Sequence, residues 1–271
     1  SNEFTVGEHN QLVVEIAKSH MAFIGSKENG KIIVAYELFT FNEEEATDFA
    51  KLFAYIKNDS KILDKKYLSS QVYLNHEFCV PIPIFRFNKE ISSEYLNVIF
   101  GEDLISQIHF EHLPVEPGIM NAFRVNKDCF NLLHTHLSKV TFHHTYSNII
   151  RRVLQRTFVY PSQFVSIQFY NTFMVVIVLK DGMFQLIQNF TYETPADVLY
   201  YLLNITEQLE MFSESLTLQI SGMIDLDFQL YRELIKYFKH VTVQDVEQSR
   251  VALDTNNHPL HYFTPFFNLA L

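Results

Sequence analysis

A duplicated α/β fold is predicted from three features of the chain. Residues 12–53 and 164–205 match in pattern at one constant offset of 152 positions (164 minus 12), without a gap. Each copy reads as three strands in a meander followed by a helix. After each copy, helical and strand patterns alternate, which makes a mixed sheet flanked by helices. The expectation is two βββαβαβ lobes, residues 1–160 and 161–271, with a cleft between them.

In the first copy, Leu12 to Ile16 is a strand and Ala17-Lys18-Ser19-His20 a short turn. Met21 to Ile24 is the second strand. Asn29-Gly30 makes a tight hairpin turn, because that pair accepts positive φ at low cost. Ile32 to Phe41 is the third strand. Asn42 then caps a helix whose first turn, Glu43-Glu44-Glu45, suits the positive end of the helix dipole. Ala46, Phe49, Ala50 and Phe53 recur at helical spacing as its apolar stripe.

The second copy repeats this plan. Phe164 to Phe169 is a strand, Tyr170-Asn171-Thr172 the turn, and Phe173 to Val178 the second strand. Asp181-Gly182 stands where Asn29-Gly30 stood, and Met183 to Tyr192 is the third strand. Thr194 takes the cap position, Pro195 sits at the first helical position, and Asp197 matches Glu45. Val198, Tyr201, Leu202 and Ile205 form the stripe.

Downstream of the first copy come a strand at 70–74 and an extended segment at 80–87. Pro81 and Pro83 confine that segment to a sheet edge. A helix at 92–100, a strand at 119–125, a helix at 127–137, a strand at 139–144 and a helix at 147–157 follow. Pro161-Ser162 suits a connection between lobes near 157–163. Downstream of the second copy come a strand at 216–220, a helix at 227–238 and a strand at 241–246. The end of the chain, His258 to Leu271, is rich in aromatics and broken by Pro259 and Pro265, so a helix is not expected there. It either packs back over the fold or docks another chain.

The chain has 271 residues, of which 48% are hydrophobic and 19% charged, a globular composition long enough for a full core. Phe occurs 26 times and Trp not at all. A net charge of −10 repels phosphate backbones and so speaks against nucleic acid as a partner. Arg151, Arg152 and Arg156 read as a solvated helix face. Cys79 and Cys129 lie among apolar neighbours, as buried free thiols of a reducing compartment would. Ser1 to Gln11 is polar, without the apolar stretch of a signal peptide, and Ser1-Asn2 reads as a processing remnant. The longest apolar run is too short to span a membrane. A cytoplasmic protein is expected.

A βββαβαβ half present twice resembles the actin-like superfamily, which includes actin, sugar kinases, chaperone ATPases and pilus-assembly scaffold proteins. As a whole the chain looks like a member of a bacterial domain-of-unknown-function family with that fold. The resemblance covers nearly all of the chain except its C-terminal tail, and it rests on element order. It implies a phosphate cradle at the first hairpin of each half: an acid on the first strand to hold a metal, then a Gly-rich turn with Ser or Thr. Only Gly lets backbone N–H groups approach phosphate freely.

Both hairpins depart from that pattern. The first reads Glu15-Ile16-Ala17-Lys18-Ser19-His20: Glu15 could replace the acid and Lys18 or Ser19 touch a phosphate, but the turn has no Gly. The second, Ile167 to Thr172, has neither acid nor Gly, and offers Asn171 and Thr172. None of the seven glycines falls in either turn. The adenosine-side motif of the family, a strand ending in paired glycines, is matched by Ser221-Gly222 with one Gly. Where kinases and scaffolds carry an acidic element before a helix, Phe142-His143-His144-Thr145-Tyr146 has no acid.

Other chemistry lacks support. His134 and His136 diverge on a helix, and His143 and His144 point to opposite faces of a strand, so no metal site is expected. No GxSxG occurs, and Glu43-Glu44-Glu45 and Asp225 with Asp227 sit at helix starts. The reading is a non-catalytic actin-like protein, without a cofactor, that serves a protein partner as interaction module or scaffold. The alternative is a divergent ATP-binding protein or small-molecule kinase using ATP with Mg through Glu15, Lys18, Ser19, Asn171, Thr172, Ser221 and Gly222. Self-association into a homo-oligomer is a third possibility.

Overall fold

The structure, a computed structural model, describes residues 10–28, 30–155, 161–255 and 258–271. Asn29 of the first hairpin, Arg156, residues 1–9 of the polar start and residues 157–160 of the expected connection lie outside the described residues. The described residues form two compact units. One runs to Arg151 and adds Ser249–Leu253 and Leu269–Leu271; the other takes Arg152–Gln248 and Asp254–Asn268.

The first unit comprises β1 (Gln11–Ala17), β2 (His20–Lys27), β3 (Ile32–Thr40), α1 (Glu43–Ala46), α2 (Phe49–Asp59), β4 (Ser69–Asn75), β5 (Cys79–Pro83), α3 (Ser92–Phe100), β6 (Ser106–Leu113), β7 (Ile119–Asn126), α4 (Lys127–His136), β8 (Val140–His144) and α5 (Thr145–Leu154) up to Arg151. Its main sheet has the order β3-β2-β1-β4-β8. The meander is antiparallel, whereas β4 runs parallel to both β1 and β8. Residues Leu12 to Val14 and Met21 to Ile24 are almost wholly buried, so these strands read as continuous apolar runs rather than alternating ones.

The second unit comprises β9 (Gln163–Phe169), β10 (Phe173–Lys180), β11 (Met183–Thr191), α6 (Pro195–Gln208), β12 (Thr217–Gly222), α7 (Gln229–Tyr237), β13 (His240–Val243) and α8 (Thr264–Ala270) up to Asn268. Its sheet, β11-β10-β9-β12-β13, repeats the strand order and the parallel and antiparallel pairings of the first. Val165 and Ile167 on β9, Leu218 and Ile220 on β12, and Val198 and Leu202 on α6 share its core. Thr194 and Asp197 close a reciprocal capping box on α6, as Asn42 and Glu45 do on α1.

The two copies differ in two ways that pattern alone does not reveal. The first helix stops at Ala46 and restarts at Phe49 with Asp48 as a new N-cap, its side chain accepting from the Lys51 N–H. That break rotates the buried face to Leu52, Phe53 and Ile56, and leaves Ala50 exposed. The expected stripe of Ala46, Phe49, Ala50 and Phe53 therefore holds only at Phe53, whereas Val198, Leu202 and Ile205 are buried as expected.

A three-stranded antiparallel sheet, β5-β7-β6, is inserted between β4 and α4. Strand β6 is absent from the sequence reading: Ile108 and Phe110 alternate with Gln107, His109 and Glu111, but His112 breaks the pattern, and most of Ser106–Leu113 is half-buried. Strand β5 occupies the edge that its prolines demand. Leu96 of α3 packs on Ile82 and Ala122 of this sheet. Between β12 and α7, the matching place in the second unit, the chain passes from Gly222 to Gln229 with no such insertion.

The tail is helical after all. Pro265 sits in the first turn of α8, where a missing N–H costs nothing. Phe266 and Phe267 are fully buried, and Phe266 meets the Tyr170 ring edge-on at 5.5 Å.

Candidate functional site

Strand β1 lies where the first sheet changes from antiparallel to parallel pairing, with β2 on one side and β4 on the other. Ligands of open α/β sheets sit beyond the carboxyl ends of such strands. Glu15 is near that end and is completely buried. Its Oε1 accepts from Asn75 Nδ2 at 2.8 Å and from Thr145 Oγ1 at 3.5 Å, and its Oε2 lies 3.3 Å from His20 Nε2. Asn75 ends β4, Thr145 follows β8, and His20 opens β2, so four adjacent strand ends converge on one carboxylate. A buried carboxyl is tolerated only when it is hydrogen-bonded in this way.

The remaining residues of the first hairpin do not join this cluster. Lys18 is exposed and pairs with Glu43 of α1, Nζ to Oε1 at 3.1 Å. The Ser19 carbonyl accepts from the Phe41 N–H at 3.0 Å.

In the second unit, Asn171 and Thr172 are exposed at the hairpin tip. Tyr170 beside them is fully buried, stacked on Phe173 at 4.6 Å, and its carbonyl accepts from Tyr192 Oη at 2.7 Å. Phe169 belongs to the core. Ser221 and Gly222 end β12 opposite Gln168 and Phe169 of β9. Gly222 has φ of 93°, and a Cβ there would lie 2.1 Å from the Phe169 carbonyl oxygen. This glycine is thus required by the close approach of two strands. Ser221 Oγ and Gln168 Oε1 are buried and have no hydrogen-bond partner among the described residues.

A second polar cluster, unannounced by any motif, links the main sheet of the first unit to the insertion. Cys79 Sγ donates to Asn121 Oδ1 at 2.9 Å, and Asn121 Nδ2 donates to Ser147 Oγ at 2.7 Å. Ser147 in turn bonds Glu111, which also receives His143 Nδ1 and Arg151 at 3.0 Å each. Burial acts to raise the Glu111 pKa, but the bonds from His143 and Ser147 and the nearby positive charges outweigh it and hold the carboxyl below its ordinary value. Burial pushes the Cys79 thiol well above its ordinary value, with only partial relief from Asn121. A thiol so held is a poor nucleophile.

His144 lies at the end of β8 and is fully buried. Its Nδ1 accepts from the Tyr146 N–H at 3.1 Å, so Nε2 carries the proton and donates to the His76 carbonyl at 3.0 Å. His76 Nε2 donates to the Arg124 carbonyl at 3.1 Å. Desolvation, followed by the repulsion of His76, holds the His144 pKa well below the imidazole range; desolvation also lowers that of His76. Both rings are neutral structural donors. His134 stacks on Phe142 and His136 contacts Lys57. Among the described residues no three His, Cys, Asp or Glu side chains are grouped to hold a metal ion. None of their helices is long and apolar enough to cross a membrane.

Two lobes of identical mixed-sheet order, with a carboxylate at the switch strand of the first, define the actin-like ATPase fold. The solved structures agree. A Bacteroides thetaiotaomicron VPI-5482 protein with actin-like ATPase fold and unknown function matches with TM-score 0.79 at 14% identity, over 100% of this chain and 98% of that one. A chain of the PilM–PilN type IV pilus biogenesis complex matches with TM-score 0.62 at 12% identity, over 97% of this chain and 96% of that one. At such identities the likeness is one of fold. The chain belongs to the family described as protein of unknown function (DUF3822), which matches residues 1–241. No curated protein matches it.

Proposed function

We propose that this chain is a non-hydrolysing protein of the actin-like fold that acts as an interaction module, holding a protein partner rather than turning over a nucleotide. The observation that carries the reading is the state of Glu15. An acid that serves a phosphate-bridging metal must turn free lone pairs toward it. Both oxygens of Glu15 are instead engaged by side chains of the fold. Lys18 is held by Glu43, no Gly opens either hairpin, and Phe169 and Tyr170 are buried where the second cradle would need accessible backbone. These residues do not fit a hydrolytic site for ATP with Mg, and no catalytic step is assigned to them. The PilM–PilN structure, a complex of two proteins, makes partner binding a natural use of such a fold. We take the protein to act in the cytoplasm.

A second reading, nucleotide binding without turnover, draws on Ser221 Oγ and Gln168 Oε1, buried polar atoms that a ligand or water would complete. Thermal unfolding with and without millimolar ATP and Mg²⁺ separates the two. A ligand present at about 100 times its Kd adds about 2.7 kcal/mol to folded-state stability, which is several degrees in melting temperature. The proposed function expects no shift. An upward shift of several degrees overturns it in favour of the second reading.

A further inference from the structure

The polar cluster around Glu111 ends in a hydroxyl that the fold leaves accessible. Thr141 and His143 are two apart on β8, the last strand of the main sheet, so their side chains share one face. On that face Thr141 Oγ1 lies 3.2 Å from His143 Nε2, and His143 Nδ1 lies 3.0 Å from Glu111 Oε1. A hydroxyl, an imidazole and a carboxylate therefore stand in line, each within hydrogen-bond reach of the next. In such a line a base activates a nucleophile and a third group orients the base.

Protonation sets the direction of the line. Glu111 is ionised at neutral pH, since its partners hold it below the ordinary carboxyl value, and a carboxylate only accepts. In the neutral ring the proton is thus on Nδ1, and Nε2 turns a bare lone pair toward the Thr141 hydroxyl, which donates to it. The inner end of the line is fixed. Tyr73, the cross-strand neighbour of His143 on β4, stacks on the ring at 5.2 Å, and Ser147 and Arg151 hold Glu111. The outer end is open: Thr141 is exposed, and the His143 side chain is 28% exposed, enough for a small reagent to reach Nε2. The bonds that run from Cys79 through Ser147 to His143 close without Thr141.

Charge selects the reagent. Phosphoryl transfer needs cations to hold the charge of the moving group, and Arg151, the cation at this line, is committed to Glu111. A carboxylate behind the base and a net charge of −10 on the chain disfavour any anionic donor. An uncharged acyl carbonyl meets neither obstacle. We propose that Thr141 is a self-acylation site, at which His143 is the general base, Glu111 its positioning residue and a thioester the acyl donor. Thr141 Oγ1 attacks the carbonyl carbon while its proton passes to His143 Nε2. The C–S bond then breaks and the leaving sulfur takes that proton, so that an ester and a free thiol result and nothing is oxidised or reduced. The inference stands apart from the partner-binding reading, which neither requires nor forbids it.

The test treats the full chain with p-nitrophenyl acetate, follows nitrophenolate by absorbance and locates the acetyl group by mass spectrometry of peptides. A burst of about one equivalent is expected, with the acetyl group on Thr141. Thr141→Val should abolish the burst and Thr141→Ser should keep it. His143→Gln should slow it about a hundredfold, the lower figure for general-base catalysis. Glu111→Gln should slow the burst without changing its amplitude, whereas a partly unfolded variant would lose amplitude. Thr141 is exposed, and an unchanged melting temperature confirms that its variants fold. A simple alkyl thioester should acylate the same hydroxyl, and acetyl phosphate should not. Acetyl groups on lysines alone, a burst that survives Thr141→Val, or a rate unchanged in His143→Gln overturns the proposal. Faster labelling by acetyl phosphate than by the thioester overturns the choice of donor.

Discussion

Gly222 is the residue at which a sequence motif and a packing requirement make opposite forecasts, and Gly222→Ala separates them. If the glycine served a nucleotide, alanine would leave the unliganded protein nearly as stable as before. The structure requires a large loss. An L-residue at φ of 93° costs about 1–2 kcal/mol. The added Cβ would also lie 2.1 Å from the Phe169 oxygen and 2.8 Å from its nitrogen, both backbone atoms of a paired strand that cannot rotate away. Overpacking of that kind adds about 1–3 kcal/mol. Gly182 is the internal control: its φ is 74°, yet nothing lies within 4 Å of its Cβ position, so Gly182→Ala should lose only the backbone contribution. At about 2–4 °C per kcal/mol, the melting temperature should fall by roughly 5–15 °C at position 222 and about 2–8 °C at position 182. The assay is thermal unfolding of both variants beside the parent. Equal losses at the two positions would refute the reasoning, because the contact with Phe169 would then contribute nothing.

Glu15→Ala should destabilise the fold by about 1–3 kcal/mol in urea unfolding, because Asn75 and His20 lose a buried acceptor; Glu15→Gln should lose less. A neutral alanine variant would mean that the carboxylate is not held for stability. His144 is neutral when folded and takes up a proton when unfolded, so stability should fall as pH drops through the unfolded histidine value near 6.5. Most of this one ring's effect should fall between about pH 7.5 and 5.5, on the order of 1 kcal/mol. His144→Gln should flatten that part of the pH–stability curve, and an unchanged slope would assign the effect elsewhere.

Much of the architecture was legible because it is local or repeated. The caps at Asn42 and Thr194 and the stripe of α6 follow from residues within one or two turns of each other. The offset of 152 positions carried the duplication, and the strand orders of the two sheets reproduce it. The edge position of β5 was legible too, since proline cannot donate to a ladder on both sides. Glu15 stood out as the acid on the first strand, and the absence of Gly from both hairpins was plain.

What escaped was decided by contacts between distant residues. Nothing near Glu15 in sequence announces Asn75 or Thr145, which reach it only because β4 and β8 lie side by side in the sheet. The strand β6 alternates only at Ile108 and Phe110 and is held by its ladder with β7. The sequence places a helix at 92–100 without saying which face is covered, and only the packed insertion shows that Leu96 is buried while Val98 faces water. Likewise Ser221-Gly222 looks like the remnant of a nucleotide motif until β12 is laid against Phe169. Propensity and periodicity act over a few residues, so the sequence by itself determined the elements and their repetition. Which polar groups meet, and which apolar faces remain in water, depends on strand neighbours set by tertiary packing.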